Sequence, residues 1–292
     1  MNAKQRRATF FAFLAAVLYA INSPFSKLLL DRISTTMMAA FLYLGAGIGL
    51  FIIGIIQRSA GKKEKEQPLT KKELPFTVGM VILDIAAPIF LMIGLTMTTA
   101  ANASLLNNFE IVATSVIALV IFKEAISRRL WFAIVLVTVS SIILSFEDMS
   151  SLSFSYGSLF VLLACICWGF ENNCTRMLSS KNPLEIVVIK GFGSGLGSFV
   201  IALIIGEKLP SIRYIACALL LGFIAYGLSI YFYIYAQRDL GAAKTSTYYA
   251  VAPFVGAGLS LLIFWDLPSL SFLVALIIML IGTYFASTDT QA

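Results

Sequence analysis

Four ionisable side chains sit inside long apolar runs: Asp84, Glu110, Glu171 and Lys190. A charge surrounded by hydrocarbon is costly, so residues of this kind face a bundle interior and mark candidate substrate or ion pathways. At a helical rise of about 1.5 Å per residue, Asp84 and Glu110 lie roughly ten residues in from a span end, near the membrane midplane. Glu171 is similarly deep, and Lys190 lies nearer one surface. Three acids against one base leave an excess of acid, which suits a proton or an organic cation. A carboxyl that can hold either would couple opposite fluxes through competition for one charge. Glu171 is the first candidate for this proton-coupling role, followed by Glu110 and Asp84. The second reading of Glu171 is an ion-pair partner of Lys190 or Arg176, and Asp84 and Glu110 serve equally well as structural hydrogen-bonding groups.

Spacing adds aromatic and amide groups to the acids. Trp168, Glu171, Asn172 and Thr175 fall at i, i+3, i+4 and i+7, one face of a helix. Tyr19, Asn22, Ser23 and Ser26 repeat that arrangement in the first apolar run. Two such faces meeting would form a pocket with aromatic walls and a carboxylate, a combination that holds an organic cation through cation–π contact and charge pairing. Ser104, Asn107, Asn108, Tyr226, Ser229, Tyr233, Ser246 and Tyr249 can border the same cavity. The candidate substrate-binding set is Glu171, Trp168, Asn172, Tyr19, Asn22, Asn107, Tyr226, Tyr249 and Lys190. Each also has a structural reading: aromatics pack or anchor at interfaces, and Asn22 and Asn172 can hydrogen-bond between helices.

The elements that position these groups follow from composition. Of 292 residues 59% are hydrophobic and only 12% charged, and the mean hydropathy is +0.92. Soluble domains carry about a quarter charged residues, so the fold is solvated by lipid. Ten apolar runs match a bilayer that needs about 20 residues per helix. They span roughly 8–30, 36–57, 74–96, 101–122, 129–146, 157–179, 184–206, 213–237, 243–264 and 269–287. The first run exceeds a signal-peptide core and reads as an uncleaved helix. The polar, lysine-rich stretch from Arg58 to Glu73 reads as a solvated loop. The net charge of +6 resides in loops, where it sets orientation rather than recruiting nucleic acid. Counting loops and span ends, and leaving aside Lys190 within its span, sixteen lysines and arginines fall on one side. Only Lys27, Arg32, Lys208 and Arg213 fall on the other. Positive charge stays inside, so both termini should be cytoplasmic. The four cysteines lie within apolar runs and no histidine is present, a pattern that offers neither disulfides nor a metal site.

The chain also repeats itself. At an offset of 142, Ser104 aligns with Ser246, Phe122 with Phe264 and Glu124 with Asp266; Asp84 then aligns with Tyr226 and Asn107 with Tyr249. At 149, Tyr19 aligns with Trp168, Asn22 with Glu171, Ser26 with Thr175 and Lys27 with Arg176. The repeats are 1–150 and 151–292, with five helices each. Five is odd, so the second copy enters the membrane from the opposite side. The expected fold is therefore an all-α integral membrane protein with ten transmembrane helices as two inverted five-helix repeats, a plan that places substrate between the halves. The duplication lets one chain supply both halves; monomer and homodimer both stay open. Glycine runs at Gly45, Gly47 and Gly49 and from Gly191 to Gly197 read as close-packing or sliding surfaces. Glu124 and Asp266, at helix ends, read as structural.

The stretch Ala236 to Asp266, AQRDLGAAKTSTYYAVAPFVGAGLSLLIFWD, resembles the drug/metabolite transporter superfamily, specifically its EamA-type ten-helix members. The resemblance rests on the small-residue entry to the ninth helix, Pro253 within it, Asp266 at its end and Gly282 in the tenth. The first half carries the pattern with Glu124 but has Ile111 for the proline and Ser140 for the glycine. This resemblance implies a multi-pass protein of a bacterial cytoplasmic membrane, no ATP hydrolysis, and export more often than import of a small solute. The expected function is secondary active transport of a small metabolite or organic cation by alternating access, coupled to protons, with no cofactor and no enzymatic activity. A zwitterionic amino acid is the second reading, with Lys190 holding its carboxylate and Glu171 its amine. A channel or a membrane enzyme is a remote third.

Overall fold

A computed structural model describes residues 3–60, 67–148, 153–178, 181–240, 245 and 248–288. The helices are α1 (Ala3–Ala20), α2 (Asn22–Leu29), α3 (Thr35–Ser59), α4 (Leu74–Met97), α5 (Ala100–Leu106), α6 (Phe109–Phe122) and α7 (Arg128–Leu144). They continue as α8 (Tyr156–Met177), α9 (Pro183–Ile204), α10 (Ile212–Gly222), α11 (Ser229–Leu240), α12 (Ala252–Phe264) and α13 (Leu270–Ser287). Between α7 and α8, β1 (Phe146–Asp148) and β2 (Ser153–Phe154) form a short antiparallel ladder. Eight helical stretches are long and apolar enough to cross a bilayer, and α12, with 13 residues, is a shorter apolar helix. The 17-residue α7 takes the fifth place. Each of the ten expected spans thus contains a helix among the described residues.

Several spans are interrupted, for identifiable reasons. Pro24 has no N–H to give the carbonyl of Ala20, and the first span breaks between α1 and α2. The fourth breaks at Asn107 and Asn108, where the Asn108 amide donates to the Leu105 carbonyl at 3.2 Å in competition with the backbone ladder. Pro253 falls in the first turn of α12, a position that needs no N–H donor. So Ile111 can stand where the second copy has its proline: asparagine breaks one helix and proline starts the other. A π-helical turn at Phe223–Leu228 joins α10 to α11.

The backbone itself repeats at the offset read from the side chains. Lys123 and Trp265, 142 positions apart, are the two non-glycine residues with positive φ among those described, at 59° and 55°, each ending its helix. Four residues beyond each, Ser127 and Ser269 cap α7 and α13 by accepting from Leu130 N at 3.0 Å and Phe272 N at 3.1 Å. Across the bundle, α3 packs on α9, α7 on α13, α5 on α12, α4 on α8 and α1 on α11. Gly47 and Gly191 meet where α3 crosses α9: a Cβ built on Gly191 would stand 2.5 Å from the Gly47 Cα. Ser140 donates to the Ala275 carbonyl at 2.6 Å across the α7–α13 seam.

The described portion of the 58–73 stretch is largely exposed, as a solvated loop should be, and is tied down at three points. Asn182 N donates to the Gln67 carbonyl at 3.0 Å and Leu69 N to the Glu185 carboxylate at 3.0 Å. Lys181 pairs with Glu73 at 3.3 Å. Backbone groups of Gln67 and Leu69 and the side chain of Glu73 pin it to the start of α9. Residues 61–66 lie outside the described residues.

Candidate functional site

Three helices bring three charges together in the bundle interior. Lys190 on α9 places Nζ 3.0 Å from Asp84 on α4 and 2.9 Å from Glu171 on α8. The Asp84 and Glu171 side chains are 0% and 2% exposed and that of Lys190 13%. Tyr43 on α3 donates to the other Asp84 oxygen at 2.8 Å, and Thr175, one turn along α8, donates to Glu171. One cation therefore bridges two carboxylates and each acid keeps a hydroxyl donor, the satisfaction that buried charge requires.

Glu110 makes no direct ion pair with that cluster among the described residues. The break at Asn107–Asn108 makes Glu110 the second residue of α6, where the helix dipole favours an acid. Its hydrogen-bond partner among the described residues is Asn172 on α8, at 2.6 Å; the same amide reaches Thr114 at 3.2 Å. Glu110 is only partly covered by protein.

Beside it lies a set of tyrosines. Asn22 donates to the Tyr226 hydroxyl at 3.0 Å and accepts from Ser26 at 3.1 Å. The ring of Tyr19 lies 6.0 Å from Tyr226 and 5.8 Å from Tyr249. Tyr43 lies 5.1 Å from Tyr226, and Tyr233 lies 5.0 Å from Tyr249. The Tyr249 hydroxyl is 3.2 Å from Ser229 Oγ. Tyr19 and Tyr249 are both within electrostatic range of Glu110. The arrangement can hold a positive group against a carboxylate with aromatic faces around it.

Of the residues singled out by spacing, Tyr19, Asn22, Tyr226 and Tyr249 converge on this aromatic wall, with Trp168 buried in the same core. Lys190, Asp84 and Glu171 form the ion cluster. Asn107 is buried, with its side-chain amide oxygen unpartnered among the described residues. Glu171 and Asn172 do not act on one group as their shared stripe suggested. Consecutive helical residues point about 100° apart, so Glu171 turns to Lys190 while Asn172 turns to Glu110. Arg176 pairs with Glu124, which leaves Lys190 as the partner of Glu171. Ser246 lies outside the described residues. Tyr43 and Thr114 went unnoticed in the sequence. Thr114 carries a signal, being one turn from Glu110; Tyr43, in an apolar run, carries none.

The sequence profile of the EamA-like transporter family matches residues 6–146 and again 155–288. A protein of Methanothermobacter thermautotrophicus named "Uncharacterized transporter" is 25% identical over 287 residues, covering 92% of this chain and 83% of its own. The "Uncharacterized transporter YyaM" of Bacillus subtilis is 22% identical over 201 residues, covering 65% of this chain and 66% of its own. A solved crystal structure superposes with a TM-score of 0.68 at 15% identity, covering 96% of this chain and 95% of that one.

Proposed function

The chain belongs to the EamA-like transporter family and is a multi-pass membrane transporter rather than an enzyme, and from that premise we propose that it exchanges protons for a small organic cation at Glu110. The observation that carries this reading is the division of partners among the buried acids. Asp84 and Glu171 share Lys190, whereas Glu110 is held by a neutral amide. A carboxylate without its own cation has room for a transported one, and the neighbouring tyrosines suit an organic ammonium better than a hydrated metal ion. The division of the chain at about residue 150 supports alternating access by two rocking halves within a single chain. The loop charges support cytoplasmic termini, and with a proton gradient directed inward the exchange would run as export. A zwitterionic amino acid is less well served, because the Lys190 ammonium already serves two carboxylates and has little left for a third.

The test is charge movement by purified protein in proteoliposomes on a solid-supported membrane. Small organic cations, zwitterionic amino acids and neutral metabolites are compared for wild type, Glu110→Gln and Glu171→Gln. Cation-evoked currents that depend on the pH gradient are expected from wild type. Glu110→Gln keeps the oxygen that accepts from Asn172, so folding should survive while the current falls about tenfold or more, the scale of losing a charge-assisted contact. A Glu110→Gln protein with wild-type currents and affinity would remove Glu110 from the mechanism. Amino-acid currents alone would move the site toward Lys190.

A further inference from the structure

The two repeats place equivalent charged residues at opposite membrane faces, and the two faces treat them differently. Arg176 and Glu124 form an ion pair at the face where α6 and α8 end. Their counterparts at offsets of 149 and 142 are Lys27 and Asp266, at the face where α2 and α12 end. These two are not paired. Both line a cleft of about 410 Å³, with Thr96 to Ala100 and Phe264 completing its wall. The Lys27 ammonium instead reaches the backbone carbonyls of Leu95 and Thr98, the latter at 3.0 Å. Those carbonyls terminate α4, where no intrahelical donor reaches them and a cation is welcome.

From this broken symmetry we infer that Arg176–Glu124 and Lys27–Asp266 are alternating latches, one closed whenever the other is open. The inference rests on the alternating-access reading above. In the state described, the first latch holds one face shut and Lys27 is parked on the end of α4. In the opposite state Lys27 leaves those carbonyls for Asp266 and the cleft closes. Arg176 then releases Glu124 and takes the equivalent place, the last carbonyls of α11 near Leu240. Both pairs suit a contact that must break once per cycle. Arg176 and Glu124 are 57% and 37% exposed, and exposed pairs bias an equilibrium by only about two- to fivefold. A stronger latch would trap one state.

The test reads the cleft directly and needs no substrate. Thr96 lines the cleft, is exposed, and donates only within its own turn. A Thr96→Cys thiol is labelled with a polar maleimide in nanodiscs, with Cys165, Cys167, Cys174 and Cys217 replaced by alanine. Glu124→Gln, a bilayer away from the probe, should slow labelling about two- to fivefold by favouring the state in which the cleft is shut. Asp266→Asn should leave the rate equal or higher. The swapped pair Glu124→Arg/Arg176→Glu should restore the parent rate. Labelling that Glu124→Gln leaves unchanged or accelerates overturns the inference, as does slowing by Asp266→Asn or a swapped pair that stays at the Glu124→Gln rate. Because no transport is measured, failure here leaves the role of Glu110 untouched, and loss of that role leaves this test intact.

Discussion

Lys190→Met should unfold the protein far more readily than any exposed substitution, with a loss of about 3–5 kcal/mol. The Lys190 ammonium is the group within 3.0 Å of both Asp84 and Glu171. Without it, two carboxylates with exposures of 0% and 2% face each other with one hydroxyl donor apiece, in an interior where like charges are weakly screened. Methionine fills much of the lysine volume, so the loss reports the charge rather than a cavity. Neutralising the acids as well is the informative control. Lys190→Met with Asp84→Asn and Glu171→Gln should recover most of the stability, because a buried charge cluster replaced as a whole costs little. Thermal unfolding in detergent, followed by size-exclusion chromatography, measures both. A single variant that melts with wild type would show that the cluster is not held by charge. Recovery of stability without recovery of transport would assign the trio to the transport cycle as well as to folding.

The second large effect is expected where α3 meets α10. A Cβ on Gly45 would lie 2.0 Å from the carbonyl oxygen of Leu219, and one on Gly222 would lie 2.0 Å from that of Leu42. Both obstacles are backbone, which cannot rotate away as a side chain can. Gly45→Ala or Gly222→Ala must therefore push α3 and α10 away from each other, at about 3 kcal/mol, the upper end for overpacking. Gly258→Ala is the matched control: nothing stands within 4 Å of its Cβ position. There, alanine should be neutral or gain up to about 1 kcal/mol through helix propensity. Equal melting temperatures for Gly45→Ala and Gly258→Ala would contradict the close crossing.

The glycines of α3 also mark how far patterns along the chain reach. The Gly45-x-Gly47-x-Gly49 run announces a close-packed face, and hydropathy announces the helix that carries it. Neither tells which helix approaches. Gly45 goes to α10 and Gly47 to α9, because residues two apart on a helix point about 200° from each other.

The spans, the polar loops and the duplication were legible because each is written locally. A bilayer demands long apolar stretches with internally bonded backbone, and any such stretch is visible wherever it ends up in space. The 142-residue offset read from Ser104, Phe122 and Glu124 reappears in the backbone at Lys123 and Trp265 and in the caps Ser127 and Ser269. Local chemistry writes those features too. The allocation of charge was not legible. Asp84, Glu110 and Glu171 are alike as buried acids in apolar runs, and spacing ranked Glu171 first. Folding gives Lys190 to Asp84 and Glu171 and leaves Glu110 with Asn172. Pairs separated by 19 to 106 residues depend on how each helix is rotated and where it crosses its neighbours. A rotation of about 100°, one residue's worth, exchanges partners without changing the hydropathy of any span.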